Sequence, residues 1–485
     1  MLRQAAAGQR ISGRHPPQIA KKRILAVVLV GMTVISAMTG CGSGNNETAV
    51  TDSTGQTAAE DAGEVLVDDE EKAEINDLSG DITFVCGATE ALGVQAVFDE
   101  FQKQYPDAKL NITTSQDVTD FETMMTAWIA SNSLPDMYIA QVGATEQGYA
   151  REGYLLPLTD TGIIDNLIEC DTSLITYDGE FYAFPLTSAI SVTLCNNAKL
   201  KELGIEINRE NYPKSMDDFL NLMQQVRDAG VNYPFGIAGA DLSSCTAWPF
   251  QYMYQVLYGD DPNYYADILK GEKAWNGPEF VEMFTEYDRL REYVSPDSTG
   301  KTMNEVYADF VKGDTVFFSQ VASTIKSIQE LDPESDILLI PSSFTKDAKN
   351  QTLIAGVDAG LSICSTTDCK DLCVQFAKYL TSEEGCTIFN NATGYIPTEK
   401  VCNANTDPAY DLVLSIEQAG ELPISPIQSR QWISGFKELL KSGCQNWLAG
   451  EDAQEVCDTI QEEHQRLMDA DPEWVENFLS NYTWK

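Results

Sequence analysis

Histidine is nearly absent from this chain of 485 residues, which contains only His15 and His464. Ser–His–Asp catalysis and multi-histidine metal sites both need imidazole groups at fixed positions. His15 lies in the basic leader, and the polar helical context of His464 predicts a solvent-exposed side chain. The sequence therefore predicts no histidine-based catalytic triad, no metal site and no cofactor.

Basic residues are also scarce, with 32 Lys and Arg against 74 Asp and Glu. Six of the basic residues lie in the first 40 positions, where there is no acidic residue. The remaining chain has 26 basic against 74 acidic residues, a net charge of −48. A surface this acidic repels phosphate backbones, so we expect no nucleic-acid partner.

Long hydrophobic runs are missing apart from one, from Ile24 to Met38, which follows Lys21-Lys22-Arg23. The run is short for a membrane span and typical of a signal-peptide core. It ends in Met38-Thr39-Gly40-Cys41, which resembles a bacterial lipobox. We therefore predict a lipoprotein signal peptide over 1–40 and lipidation of Cys41. The alternative is an uncleaved anchor.

The segment that follows Cys41 is rich in Gly, Ser, Thr, Ala, Asp and Glu. Such a composition buries too little apolar surface to fold and extends by charge repulsion. We expect residues 41–79 to form a lipid-anchored, disordered, acidic tether. It would hold the remaining chain at the extracytoplasmic face of the cell membrane.

Eleven further cysteines follow Cys41, an odd number with no Cys-x-x-Cys pair. Cys369 and Cys373 are four residues apart on a predicted helix whose apolar face includes Phe376 and Leu380. We interpret these thiols as small buried apolar side chains. The sequence leaves their disulfide state open.

Alternating strand and helix patterns begin near residue 81. Apolar strands are predicted at 81–86, 110–112 and 137–140, with amphipathic helices at 94–105 and 121–129 between them. This order favours a parallel sheet covered by helices. Ligands bind beyond the carboxyl ends of such strands, which directs attention to the loops 87–90 and 141–144.

Several motifs in the remaining chain resemble those of one protein family. Residues 130–136 resemble the pattern IASGxxPDI, 149–158 resemble YAxxGxLxPL, and 177–185 resemble DGKxYAxP. Further matches lie at 196–204, 213–219, 310–317 and 356–381. Cys195 and Met216 stand where the patterns usually have Tyr and Trp. Together the segments resemble the family 1 extracellular solute-binding proteins, the maltose and multiple-sugar type of bacterial ABC importers.

The resemblance implies an α/β, two-lobed, periplasmic-binding-protein-like (class II) fold with a hinge, preceded by the signal peptide and tether. It places lobe 1 at 80–186 plus 336–382 and lobe 2 at 190–332 plus 385–485. It also implies a monomer that captures a sugar or oligosaccharide in the cleft and docks on ABC permease subunits. No catalytic residue is expected.

Sugar clefts combine aromatic faces for the pyranose C–H surface with carboxylates and amides for the hydroxyl groups. The resemblance suggests Trp432 as a stacking residue, and Trp248 lies in a break before a Tyr-rich helix. The predicted polar ligand residues lie after strands or at the hinge: Glu90, Gln141, Thr187, Ser188, Gln320 and Asp358.

Other functions remain open from the sequence. Paired carboxylates are the signature of glycosidases, but 74 acidic residues single out no pair. A sensor component or adhesin would share the export signal and the tether. A solute other than a carbohydrate would need only a different cleft lining.

Overall fold

A computed structural model describes residues 78–116, 118–168, 172–242 and 247–481. The predicted signal peptide, Cys41 and nearly all of the predicted tether lie outside these residues. So do Cys170 and Cys245 and the side chain of Trp248. Within the described residues, no helix combines the length and the apolarity needed to cross a membrane.

The first sheet has the strand order β2-β1-β3-β11-β6. β1 is parallel to β2 and β3, whereas β11 is antiparallel to β3 and β6. The β-α-β-α-β order predicted for the start of the chain is confirmed. The strands of this sheet are β1 (Gly80–Gly87), β2 (Ala108–Ser115), β3 (Met137–Gln141), β6 (Phe184–Pro185) and β11 (Ala359–Ile363).

The second sheet has the order β12-β10-β7-β8, and β9 pairs with the far half of β7. β7 is antiparallel to β8, β9 and β10. Its strands are β7 (Ser188–Asn196), β8 (Phe317–Val321), β9 (Ile337–Pro341), β10 (Leu353–Val357) and β12 (Ile424–Ser425). A separate hairpin joins β4 (Thr176–Tyr177) to β5 (Glu180–Phe181).

Helices cover both sheets. In chain order the α-helices are α1 (Ala88–Gln104), α2 (Val118–Ser131), α3 (Ala144–Arg151), α4 (Asn197–Glu202), α5 (Met216–Asp228), α6 (Ala247–Tyr252), α7 (Tyr258–Asp260), α8 (Tyr264–Lys270), α9 (Pro278–Asp288), α10 (Met303–Lys312), α11 (Ile325–Leu331), α12 (Lys370–Leu380), α13 (Glu383–Thr393), α14 (Asp411–Gln418), α15 (Phe436–Leu448), α16 (Ala453–Ala470) and α17 (Pro472–Asn481). A π-helical turn, Met253–Leu257, joins α6 to α7.

Local sequence explains where several helices begin and end. α10 starts with a capping box, in which the Thr302 hydroxyl accepts from the Glu305 backbone N–H and the Glu305 carboxylate accepts in return. It ends at Gly313, whose φ of +77° suits a residue without a side chain. α5 begins at Ser215, whose hydroxyl accepts from the Asp218 backbone N–H as a simple N-cap.

Two adjacent segments carry the chain between the sheets. β6 continues through Leu186 and Thr187 into β7, and β10 continues through Asp358 into β11. The two crossings are hydrogen-bonded to each other, because the Asp358 N–H donates to the Thr187 carbonyl at 2.9 Å. A third segment lies against them at Ile396, whose carbonyl accepts from the Ser188 N–H at 3.3 Å. These segments form the hinge-like connection that the sequence predicts near Phe184.

The packing moves two of the predicted lobe boundaries. We assigned 336–382 to lobe 1, but β9 and β10 pair in the second sheet, so the chain returns to the first sheet only at Asp358. We began the last part of lobe 2 at 385, but Phe389 of α13 packs in the core of the first sheet. The first segment is misplaced because a buried apolar strand carries no signal about which sheet it joins. The second is misplaced because the apolar face of a helix such as α13 does not show in the sequence which core it packs against.

The core of the second lobe is unusually aromatic and contains His464. The predicted exposure of His464 is wrong: its side chain is fully buried between Tyr265, Trp275 and Phe436. Burial lowers the pKa of this imidazole to about 4, which keeps it neutral. His464 occupies an inward-facing position of α16, and the polar residues beside it in the sequence do not indicate this.

The cysteines of the described residues are free, and most are buried. This agrees with their interpretation as small apolar side chains. Cys373 lies in the first core, whereas Cys444 and Cys457 lie in the second. The sulfur atoms of two cysteine pairs lie close together. They are 3.6 Å apart in Cys369–Cys373 and within 4.8 Å of each other in Cys386–Cys402.

Candidate functional site

A cavity of about 350 Å³ opens at the carboxyl ends of β1, β2 and β3. The first turns of α1, α2 and α3 and the crossing residue Asp358 complete its wall. This is the edge at which ligands bind in open α/β sheets. The loops 87–90 and 141–144, selected from the sequence, lie at this edge, and Glu90 and Gln141 line the cavity.

Four carboxylates line the cavity: Glu90, Glu122, Glu146 and Asp358. Glu90 lies in the first turn of α1, and its Oε1 accepts from the Tyr395 hydroxyl at 2.7 Å. Burial raises the pKa of Glu90, and the Tyr395 hydrogen bond offsets part of that shift. Burial likewise raises the pKa of Glu122, which accepts from the Thr145 hydroxyl at 3.2 Å.

Glu146 is the most deeply buried of these carboxylates, with 3% of its surface exposed. It lies in the first turn of α3 and accepts hydrogen bonds from the Tyr138 and Ser362 hydroxyls. Burial raises its pKa to about 7, although both hydrogen bonds favour the ionised form. Near neutral pH this group therefore exists in both protonation states.

The second lobe reaches this wall through two basic side chains. The Lys437 ammonium, at the start of α15, donates to the Gln141 Oε1 at 3.1 Å. Arg430 pairs with Asp358 while its own side chain is almost fully buried. Burial, followed by the nearby charges of Arg430 and Lys441, lowers the pKa of Lys437 to about 7.

A glycine permits the close approach of the two lobes at this point. Gly143 has a φ of +146°, and a Cβ on it would lie 2.5 Å from the Arg430 carbonyl oxygen. Any side chain at 143 would therefore push the 428–431 segment away from the loop between β3 and α3. Gly143 and the Arg430–Asp358 pair thus fix how Arg430 meets the first lobe.

Of the predicted ligand residues, the structure brings Glu90, Gln141 and Asp358 together in the cavity wall. Thr187 and Ser188 lie in the crossing strands instead. The Thr187 hydroxyl accepts from the Ala359 N–H at 3.0 Å, and the Ser188 hydroxyl donates to the Gly356 carbonyl at 3.3 Å. Both hydroxyls are therefore used within the hinge region.

Gln320 lies near the end of β8, where its side-chain oxygen accepts from the Val321 N–H at 3.0 Å. It is not part of the cavity wall. Trp248 was also predicted, but its side chain lies outside the described residues. Gln320 therefore does not contribute to the cavity, and Trp248 stays a prediction.

Trp432 occupies a different position from the one expected of a stacking residue. Only 4% of it is exposed, and its ring packs edge-on against Phe250 and Phe436 at centroid distances of 5.4 and 5.1 Å. Its indole N–H donates to the Tyr258 hydroxyl at 2.9 Å. The sequence expectation requires correction here, because the ring is part of the second core.

Five residues of this site are not among the ligand residues predicted from the sequence: Glu122, Glu146, Tyr149, Arg430 and Lys437. Glu146 and Tyr149 follow the loop 141–144 within one helix, so extending that loop by a few residues would have found them. Tyr149 supplies a half-buried aromatic ring to the cavity wall. Arg430 and Lys437 lie on either side of Trp432 in the sequence. The family pattern indicates Trp432, whereas the side chains that reach the first lobe are those of Arg430 and Lys437.

The family of bacterial extracellular solute-binding proteins matches residues 96–411 of this chain. Curated relatives include the multiple sugar-binding protein of Streptococcus mutans, 21% identical over 60% of this chain and 68% of that protein. An uncharacterized ABC transporter extracellular-binding protein of Pyrococcus horikoshii is 22% identical over 61% of this chain. The match spans 63% of the length of that second relative.

Solved structures share the fold over most of this chain. A sugar transporter protein of Bacillus licheniformis in complex with stachyose has a TM-score of 0.67 at 18% identity, covering 80% of this chain and 100% of its own. A chitin oligosaccharide binding protein has a TM-score of 0.69 at 18% identity, covering 80% and 99%. The fold is thus the two-lobed α/β fold of solute-binding proteins. The family match over 96–411 shows that the chain belongs to the bacterial extracellular solute-binding proteins.

Proposed function

We propose that this protein captures a carbohydrate in the cavity lined by Glu90, Gln141 and Asp358 and delivers it to an ABC permease. The observation that carries the proposal is the lining itself: four carboxylates, the amides of Gln116 and Gln141, and the Tyr149 ring around about 350 Å³. Carboxylate and amide oxygens accept from sugar hydroxyls, and an aromatic face packs against pyranose C–H groups. The volume lies at the lower end of the range of about 300–1,000 Å³ for small-molecule sites.

The two basic side chains support a closing movement of the second lobe over the ligand. Arg430 and Lys437 contact Asp358 and Gln141, both of which line the cavity. A sugar hydroxyl that bridges these pairs would bind both lobes at once, so it would favour the closed arrangement through differential contacts. The names of the relatives agree, since one is a multiple sugar-binding protein and another binds melibiose, raffinose and stachyose.

Isothermal titration calorimetry against a glycan panel that includes raffinose, stachyose and chitin oligosaccharides tests the proposal. We expect at least one glycan to bind and Glu90→Gln and Asp358→Asn to weaken it tenfold or more. Hydrogen bonds to charged groups contribute about 1.5–3 kcal/mol, and about 1.4 kcal/mol corresponds to tenfold in affinity. The matched control is Glu206→Gln, an exposed carboxylate outside the cavity, which should leave the affinity unchanged.

Other functional classes predict different results in the same experiment. A binder of a phosphonate, polyamine or peptide would show heat with those solutes and none with any glycan. A glycosidase would release new reducing ends from the panel during prolonged incubation. We expect binding without turnover. The cavity offers hydrogen-bond acceptors to sugar hydroxyl groups, and the family to which the chain belongs consists of solute binders.

We further propose that lipidation of Cys41 anchors the protein to the extracytoplasmic face of the cell membrane, as a monomer on an acidic tether. A diacylglycerol supplies two acyl chains, enough for stable anchoring where one chain is marginal. Membrane fractionation compares the wild-type chain with Cys41→Ser. The variant should move to the soluble or secreted fraction, and its retention in membranes would contradict the lipid anchor.

A further inference from the structure

Two thiols and a carboxylate converge at the base of the first lobe, away from the cavity wall. Cys386 lies in α13, and Glu399 and Cys402 lie in the segment that follows this helix. Among the described residues, this is the group of His, Cys, Asp and Glu side chains whose arrangement could hold a metal ion. Cys364, Cys369 and Cys373, which are also close in sequence, form no such group in the part of the chain that the structure describes.

The three ligand atoms of this cluster lie within 4.8 Å of one another. Zinc binds thiolates at about 2.3 Å and carboxylate oxygens at about 2.0–2.2 Å, so two sulfurs on one ion can be at most about 4.6 Å apart. Small side-chain movements would therefore bring both sulfurs and the carboxylate into one coordination shell. The Cys386 thiol also lies 3.2 Å from the Val401 carbonyl, which holds the two parts of the cluster together.

Two buried oxygen atoms at this cluster have no hydrogen-bond partner. Glu399 is 5% exposed, and its Oε2 accepts from the Thr398 N–H at 3.0 Å while its Oε1 accepts nothing. The Asn390 Oδ1 is likewise unpartnered, although its Nδ2 donates to the Cys386 carbonyl at 2.9 Å and contacts the Cys402 sulfur at 3.8 Å. Buried polar atoms are normally paired, so two unpaired oxygens beside two thiols offer further ligand atoms to a cation.

A disulfide between Cys386 and Cys402 would explain the proximity of the sulfurs but not these oxygens. It would leave the Glu399 carboxylate buried with one oxygen unpaired, at an energetic cost. A cation bound by both thiolates and Glu399 would satisfy the carboxylate directly.

We propose that Cys386, Glu399 and Cys402 bind one divalent cation of the zinc class. Thiolates select zinc over magnesium and calcium, which prefer oxygen ligands. The fourth position would be taken by water or by the Asn390 amide oxygen.

The cation would brace the segment that carries Tyr395, the partner of Glu90, and Ile396, the partner of Ser188. It would therefore stabilise the third connection between the lobes without touching the sugar.

Cobalt(II) titration of the full chain, purified with a phosphine reductant and treated with chelator, tests this inference. We expect one cobalt per chain, with the thiolate-to-cobalt charge-transfer band and the intense visible bands of a tetrahedral site, both reversed by zinc. Cys386→Ser and Cys402→Ser should each abolish the charge-transfer band or halve it. Glu399→Gln, which keeps the shape of the side chain, should weaken cobalt binding at least tenfold, the lower bound for losing even an outer-shell partner.

The matched control is Cys369→Ser, which breaks the other close thiol pair, in which the sulfurs lie 3.6 Å apart. It should leave the cobalt spectrum unchanged. The inference is overturned if the reduced wild-type chain takes up no cobalt, or if the spectrum survives in Cys386→Ser but not in Cys369→Ser. It is equally overturned if peptide mass mapping finds a Cys386–Cys402 disulfide and the reduced chain binds neither cobalt nor zinc.

Discussion

The two sides of the cleft differ in which side chains line the cavity and which are buried in the core. The first lobe presents four carboxylates around a cavity, whereas most of the described tyrosines and tryptophans of the second lobe are buried in its core. Two of these rings show how their polar ends are paired inside the protein, although the Tyr252 hydroxyl and the Trp275 indole N–H of the same core have no partner. The Trp432 N–H donates to Tyr258, and the Tyr265 hydroxyl accepts from the Ile433 N–H at 2.9 Å.

The difference between the sides separates support from recognition. Aromatic groups with internal partners have no polar atom left for a ligand, so they fix the 428–437 segment in place. That segment then carries Arg430 and Lys437 to the first lobe. In the first lobe, by contrast, carboxylates remain in the cavity wall at the cost of desolvation, which raises the pKa of Glu90, Glu122 and Glu146.

The largest expected effect is the loss of stability on replacing Trp432. The contrast between the two sides of the cleft holds only if this ring supports the core and does not contact the ligand. We expect Trp432→Ala to lower the free energy of unfolding by about 3–5 kcal/mol, since it empties a packed site among Phe250, Tyr265 and Phe436. Urea denaturation followed by fluorescence or circular dichroism measures this. Tyr258→Phe removes only the acceptor of the indole N–H, so it should cost about 1–3 kcal/mol.

The control is Trp474→Ala, since Trp474 is half-buried on α17 and stacks on Phe478 at the edge of the same core. It should be clearly less destabilising than Trp432→Ala. A Trp432→Ala protein as stable as the wild type, but without glycan binding, would return this ring to the ligand and remove the contrast between the two sides.

Much of the first lobe follows from the sequence. Period-2 and period-3.6 patterns are local, so β1 to β3 and the helices between them are predicted correctly, and the rule for strand ends then finds Glu90 and Gln141. Asp358 was found for a similar reason, because it follows a short apolar strand. The family pattern supplied the two lobes and the crossing near Phe184.

The remainder depends on long-range packing. Whether β9 joins the first or second sheet depends on its pairing with β7, which no local pattern encodes. Trp432 and His464 share one cluster with Phe436, and only that shared burial shows that neither side chain faces solvent or ligand. Arg430 and Lys437 gain their roles from first-lobe partners at 358 and 141, far away in the sequence.

A smaller effect tests the first-lobe side of the comparison. It is the pH dependence of the free energy of unfolding that the raised pKa of Glu146 causes. Its folded-state pKa of about 7 exceeds the ordinary pKa of 4.5 of an unperturbed glutamate carboxyl group. Between these values the folded state binds the proton and the unfolded state does not. The stabilisation from this group is therefore complete at low pH and is lost as the pH rises through 7. The loss amounts to at most about 3.5 kcal/mol at about 1.4 kcal/mol per pKa unit.

Denaturation of the wild type and Glu146→Gln at pH 5 and pH 8 measures this loss. The glutamine does not titrate, and it can still accept from the Tyr138 hydroxyl. The stability of the wild type relative to the variant should therefore fall between pH 5 and pH 8. Other groups, such as Glu399 and His464, titrate in both proteins and cancel in the difference. Parallel profiles for the two proteins would mean that Glu146 is already ionised and solvated, so the cavity wall would hold water at its deepest point instead of a buried acid.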